Sequence, residues 1–332
     1  MTLHYQTVSA LAQALRQCRR DALAVALEAS LAGIREDFQR LLVADGVVAG
    51  LARFRAGGAV EHWLHPNDHE TGVRYSLLPM IHAILANLFT PEQASHHVQL
   101  IRRHLLAVDG ARLFDRPLPY HGGLQRHFQR AETSTYFGRE IGLMYMHAHL
   151  RWAEALAHLG DAEAAFHALR QANPVGLRDA VPNARLRQAN CYTSSSDADF
   201  ADRAEAAARY DAVRTGAVEV EGGWRVYSSG AGIAMRLVRE RLLGLRLRRS
   251  SLCIDPVLPR TLDGLVARMQ LQGRAVTLRY RVGAQGHGPR ALACNGRSLA
   301  IDREPHPYRT GGAVVPMDLL REGENVIDVE VG

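Results

Sequence analysis

The sequence contains no lysine: all 40 of its basic residues are arginine. With the abundant alanine, this reads as a coding bias, so the formal charge of +6 at pH 7 says little about nucleic acid. The arginines are dispersed apart from Arg246, Arg248 and Arg249, with no basic arm or aromatic-interleaved stripe. A nucleic-acid partner is therefore not expected. Cysteine is scarce too. Cys18, Cys191, Cys253 and Cys294 lie far apart and form no C-x-x-C pair, which fits reduced thiols in the cytoplasm better than a disulfide framework. No apolar run reaches bilayer length: residues 77–88 are interrupted by His82 and Asn87, so no membrane partner is expected. The opening residues MTLHYQ lack the basic and apolar regions of a signal peptide. The G-x-S-x-G elbow, the P-loop, H-E-x-x-H and a G-x-G-x-x-G after a convincing strand are all missing, which removes most common enzyme classes.

What is present supports a substantial core. The 332 residues are 47% hydrophobic and long enough for two domains or one large one. Leu11, Leu15, Leu23, Leu27, Leu31, Ile34 and Phe38 recur at helical spacing. Thr90-Pro91-Glu92-Gln93 is a strong helix start, with an N-cap threonine, proline at the first position and glutamine to close a capping box. That helix is expected to run to Leu106, with Asp109-Gly110 as its exit. A second long helix is expected over 138–159, broken by Gly160-Asp161 and followed by another to about Ala172. The character changes near Ser250. Residues 277–282 and 326–331 alternate with period two, and Asn295-Gly296 is a tight-hairpin turn.

Three loops are long and polar enough to carry chemistry. The first, 61–74, places His62, His65 and His69 near Asp68 and Glu70. Pro66 and Asn67 preclude a regular helix there and no cysteine supports a metal, so a solvated or substrate-facing loop is expected, and no metal site. The second, 115–139, holds Arg126, His127, Arg130, Glu132, Tyr136 and Arg139 beside Gly122-Gly123. These residue types suit hydroxyl and phosphate recognition, or equally a salt-bridged surface loop. The third, 183–200, offers Arg185, Arg187, Gln188, Asn190, Tyr192 and Ser194-Ser195-Ser196-Asp197 as a sugar-contacting surface, or as a solvated serine-rich loop. A separate turn, Ser228-Ser229-Gly230-Ala231-Gly232, opens an apolar helix. Its free N–H groups make it an anion seat, or Ser228 or Ser229 simply caps the helix.

Five short motifs then occur in order: Asn173-Pro174, Gly222-Gly223-Trp224 with Tyr227, Gly230-Ala231-Gly232, Leu243-Gly244-Leu245-Arg246, and Ile254-Asp255-Pro256 with Pro259. This series resembles the C-terminal half of glycoside hydrolase family 94, the cellobiose-phosphorylase and cyclic β-1,2-glucan synthase group. The resemblance implies a mainly α fold with C-terminal β: a partial (α/α)6 toroid over 1–249 and a small β-sandwich-like domain over 250–332. It also implies inverting phosphorolysis of β-linked glucosides, with hexosyl transfer to inorganic phosphate as co-substrate and no further cofactor. The family's phosphate-binding Thr-Gly pair falls on Ser228 and Ser229, and its phosphate-binding histidine falls on Arg139. Glu132 matches the glutamate that holds sugar hydroxyls. Tyr136, Arg130, Gln188 and Tyr192 join it as candidate substrate contacts.

The family's general acid, the aspartate of a Gly-Asp-Trp-Asn-Asp stretch, has no counterpart: the three tryptophans follow His62, Arg151 and Gly223. No catalytic residue is assigned, and the chain alone is expected to be inactive. The simplest expectation is a C-terminal portion of a longer enzyme or a truncated reading frame, with a missing N-terminal half or a second copy as partner. The alternatives are a non-catalytic carbohydrate-binding or partner subunit, and a fragment of a β-glucan hydrolase or transglycosylase.

Overall fold

The computed structural model describes residues 1–118, 120, 122–133, 143–223, 228–248 and 250–332. These form two compact units. One comprises Met1–His149 with Pro174–Tyr227, the other Leu150–Asn173 with Ser228–Gly332.

The first unit opens with the helices Thr2–Gln17 and Asp21–Leu42, of which only Ala12, Ala24 and Phe38 are buried. Helix Leu77–Leu85 is the opposite case: Leu77, Met80, Ile81 and Ile84 are all buried, the i, i+3, i+4, i+7 spacing of a core-facing stripe. Helix Pro91–His104 starts on the capping box read from the sequence. The Gln93 N–H donates to Thr90 Oγ1 at 3.2 Å, and the Thr90 N–H donates to Gln93 Oε1 at 3.0 Å. Arg102, Arg103 and His104 close its last turn, where cations complement the helix dipole. The helix ends two residues before Leu106, because Leu106–Ala107 pairs with Gly110–Ala111 around the Val108-Asp109 turn.

The second unit holds helix Ala162–Ala172, whose N-cap Asp161 accepts from the Ala164 N–H at 3.1 Å after the left-handed Gly160. Helix Ser228–Leu237 continues into a wider turn over Val238–Leu242, where the Leu243 N–H reaches the Val238 carbonyl. Two sheets follow. Ser251–Ile254 pairs with Leu245–Leu247 and with Ala313–Pro316, and Asp302–Arg303 completes the four strands. The other sheet has five strands in the order Val266–Leu271, Arg274–Val282, Glu324–Val331, Pro289–Cys294 and Arg297–Leu299. Its central pair is parallel and the remainder antiparallel. Asn325, Ile327, Val329 and Val331 of the last strand are buried while their neighbours are less so, the period-two pattern seen in the sequence. Leu252, Ile254, Leu278, Tyr280, Ile327 and Val329 belong to one core.

The expectation of a mainly α fold built on a partial (α/α)6 toroid is not met. The described residues are 40% helix and 24% strand, the strands forming six small sheets, and four of those sheets lie in the first unit. Val43–Ala44 pairs with Val47–Val48, Leu51–Phe54 with Val60–Trp63, and Met144–Tyr145 with Ser195–Ala198, which pairs in turn with Val220–Gly222. The helix expected from residue 138 begins only at Met146. Beyond Pro174 the first unit has helices of four to six residues, Leu177–Ala180, Arg203–Ala208 and Tyr210–Thr215, too short to pair as toroid helices. Strands of two to four residues leave no periodic signature, so helical spacing was the only pattern visible there. A β region at the C-terminal end is present as expected. No described helix is long and apolar enough to cross a membrane.

Candidate functional site

The loops singled out in the sequence surround two cavities in the first unit. The larger, of about 670 Å³, is lined by Glu70, Thr71, Tyr120, Arg126, His127 and Glu132 among others. Glu132 lies on the short helix Arg130–Thr133, directly after the left-handed Gln129. Its carboxylate is buried and accepts from the N–H groups of Arg126 (3.0 Å to each oxygen), His127 (2.5 Å) and Phe128 (2.8 Å). Burial pushes its pKa up, but these donors together hold it below the usual carboxylate range. Glu132 thereby shapes the wall of the cavity, and most of its acceptor capacity is taken by backbone. Arg203 braces the same turn, donating to the carbonyls of Glu132 and Thr133 at 2.6 Å each, with its guanidinium 5.1 Å above the Tyr120 ring.

His127 turns the other way. Its Nε2 stands 3.9 Å from Glu70 Oε1, and its ring meets Trp63 edge-on at 5.3 Å. Arg53 covers the Trp63 ring at 5.4 Å. Of the histidines in the 61–74 loop, His62 and His65 serve the fold and His69 is exposed. His62 Nε2 lies 2.9 Å from the Leu41 carbonyl and His65 Nε2 3.0 Å from that of Ala44. Asp68 ties the turn by accepting from the N–H groups of Leu64, Glu70 and Thr71 and from the Thr71 hydroxyl.

The second cavity, of about 200 Å³, is bounded by Arg185, Leu186, Arg187, Gln188, Cys191, Thr193, Glu221 and Gly222. Gln188 is exposed, and half-buried Tyr192 has its hydroxyl pKa pushed up by burial. Beneath lies strand Ser195–Ala198, with Ser194, Ser195 and Ser196 all buried. The glycine pair at 222–223 is explained here. A Cβ on Gly223 would lie 2.1 Å from Ser195 Oγ and 3.1 Å from Asp197 Oδ1, and one on Gly222 would lie 2.4 Å from Thr193 Cγ2. Only glycine lets this strand edge lie on the serines.

Ser229 lies exposed in the first turn of helix Ser228–Leu237, in the second unit. Tyr136, Arg139 and Trp224 lie outside the described residues, as do the side chains of Arg130 and Ser228. Two further motifs are partners of each other. A Cβ on left-handed Gly244 would fall 2.1 Å from the Pro256 nitrogen, and the Asp255 N–H donates to the Gly244 carbonyl at 2.8 Å. Asp255 is then held by Arg309 at 2.7 and 2.9 Å and by Arg246 at 3.2 Å.

Sequence reasoning missed the most heavily charged buried group. Glu154 is 3% exposed and receives Arg236 (2.9 and 2.7 Å), Arg241 (3.0 Å) and Arg151 (2.5 Å). Burial raises its pKa, yet the three guanidiniums bring it down to about 2. Arg151 stands three residues away, a helical spacing that offered a signal; Arg236 and Arg241 are 82 and 87 residues away and offered none.

Residues 244–328 match the family model described as the glycoside phosphorylase C-terminal domain. The chain is 39% identical over 284 residues to a 1,2-beta-oligoglucan phosphorylase of Listeria innocua, covering 85% of this chain. Over this stretch the chain is similar to a glycoside phosphorylase. The match spans 26% of that relative's length. A cyclic beta-(1,2)-glucan synthase, NdvB of Rhizobium meliloti, is 30% identical over 135 residues, 41% of this chain and 4% of the synthase. The phosphorylase resemblance drawn from the five motifs therefore stands, and its last two motifs fall in or beside the matched C-terminal segment.

Proposed function

We propose that this chain is a carbohydrate-active, phosphorylase-like protein that binds β-glucan oligosaccharide and inorganic phosphate. The observation that carries the reading is the 39% identity with a 1,2-beta-oligoglucan phosphorylase over 85% of the chain. The two cavities agree with it, since both mix charged and neutral hydrogen-bonding groups as a polyhydroxyl ligand requires. In this reading Glu132, Arg130, Tyr136, Gln188 and Tyr192 serve the sugar, while Ser228, Ser229 and Arg139 serve the phosphate. Residues 1–249 carry the binding surfaces and residues 250–332 the C-terminal β domain. Four free cysteines support a reducing, cytoplasmic setting.

Inverting phosphorolysis requires an acid to protonate the leaving glycosidic oxygen. No residue of this sequence is assigned that role, so binding without turnover is expected of the chain by itself. Calorimetric titration with β-1,2- and β-1,4-gluco-oligosaccharides, with and without phosphate, tests the proposal. Saturable heat is expected with the β-1,2 series, and no sugar 1-phosphate should accumulate. Absence of heat with every oligosaccharide would refute it.

A further inference from the structure

Arg187 is a half-buried cation whose hydrogen-bonding capacity is only partly used. Its Nη1 donates to Thr193 Oγ1 at 3.3 Å, and its Nη2 donates to Ser196 Oγ and the Glu221 carbonyl at 3.2 Å each. A guanidinium has five N–H donors. The buried Nε has no partner and, among the described residues, no carboxylate is within ion-pair distance of Arg187. Burial pushes this guanidinium below its ordinary pKa, against the opposing pull of Asp109, Asp197 and Glu221. An unused buried N–H donor costs free energy unless an acceptor arrives.

The charges around the cavity decide which acceptor suits it. Arg185, the other arginine at its edge, is already engaged by Asp199, Glu219 and Glu221. Asp109, which acts on Arg187 from a distance, is paired with Arg112 at 2.7 Å. Among the described residues carboxylates thus outnumber guanidiniums here, and a free phosphate would meet a repulsive field. A neutral polyol fits better: it accepts from Arg187 and Gln188 while donating to Glu221 and Thr193, and exposed Leu186 offers an apolar contact for ring C–H groups. About 200 Å³ is below the roughly 300–1,000 Å³ typical of drug-sized ligands, which suits a single ring.

We infer that the cavity bounded by Arg187, Gln188, Thr193 and Glu221 is a subsite for one neutral pyranose unit, with Arg187 donating to its hydroxyls. The inference rests on the proposed glucan binding and adds that this pocket takes the sugar and not the phosphate. The test follows the Arg187 Nε–H signal by NMR in the full chain during separate titrations with methyl β-glucoside, sophorose and inorganic phosphate. The two glucosides should move the signal and phosphate should leave it in place. Arg187→Lys should weaken glucoside binding at least tenfold while leaving phosphate affinity within twofold. Gln188→Ala, at an exposed position that does not threaten folding, should weaken glucoside binding several-fold. A signal that moves with phosphate alone would overturn the inference by making the pocket an oxyanion site. Oligosaccharide binding with an unmoved Nε–H signal and undiminished affinity in both variants would overturn the subsite while leaving the proposed function intact. No sugar binding by the wild-type chain would overturn both.

Discussion

Lowering the pH should destabilise the protein through His97, whose imidazole is held neutral. The side chain is fully buried, stacked on the Phe89 ring at a centroid distance of 4.1 Å. Nε2 accepts from the Val48 N–H at 3.1 Å, and Nδ1 lies 2.7 Å from the Gln93 carbonyl. This arrangement selects the tautomer with the proton on Nδ1, because a second proton on Nε2 would face the Val48 N–H. Burial is the main cause that lowers the pKa to about 4, with His96 adding to it and the Gln93 carbonyl opposing. The unfolded chain takes up this proton near pH 6.5 and the folded chain only near 4. Stability is therefore full above pH 6.5, falls as pH drops through that window, and loses no more to His97 below 4. A gap of about 2.5 units at about 1.4 kcal/mol each gives a loss of about 3 kcal/mol. Urea unfolding from pH 7 to 4 reads the slope. In His97→Leu the same window should flatten by that amount, with a pH-independent cost of about 1–3 kcal/mol for the unpartnered Val48 N–H. A His97 imidazolium signal by NMR at pH 6 in the folded protein would refute the reasoning.

Two other perturbations address the charge cluster and the glycine pair. Glu154→Gln leaves three guanidiniums without their shared carboxylate and should cost about 3–5 kcal/mol by urea unfolding; a cost below about 1 kcal/mol would mean that solvent already screens the cluster. Gly223→Ala should cost about 1–3 kcal/mol through overpacking on Ser195, and Ser195→Ala in the same chain should recover part of it. Strictly additive effects of these two changes in thermal unfolding would contradict the close approach.

Local chemistry made several elements legible. The Thr90–Gln93 capping box, the Gly160-Asp161 break and the Asn295-Gly296 turn are each complete within a few residues. Asn295 and Gly296 adopt φ values of +51° and +80°, the left-handed pair a tight hairpin needs. Residues 277–282 alternate strongly enough to declare their strand. The toroid expectation failed for the same reason in reverse. Ribbons such as Val43–Ala44 with Val47–Val48 are too short to show a period, and their pairing is decided by what packs around them. The candidate loops were visible as long polar segments, but the duties of their residues were not. Glu132 accepts from backbone N–H groups, and Arg187, placed by its sequence on a candidate sugar-contacting loop, has a buried Nε without a partner that no spacing announced.

The sequence by itself determined the caps, the turns, the alternating strands of the C-terminal region and the ordered motifs that tie the chain to the phosphorylases. These depend on backbone preferences and short spacings, which a linear string records. Only the tertiary structure decided that Glu154 gathers arginines from 82 and 87 residues away, that Gly223 is glycine because Ser195 lies beneath it, and that the buried Nε of Arg187 has no hydrogen-bond partner among the described residues. Desolvation and long-range contact set those properties, and both exist only once distant segments have displaced water from between them.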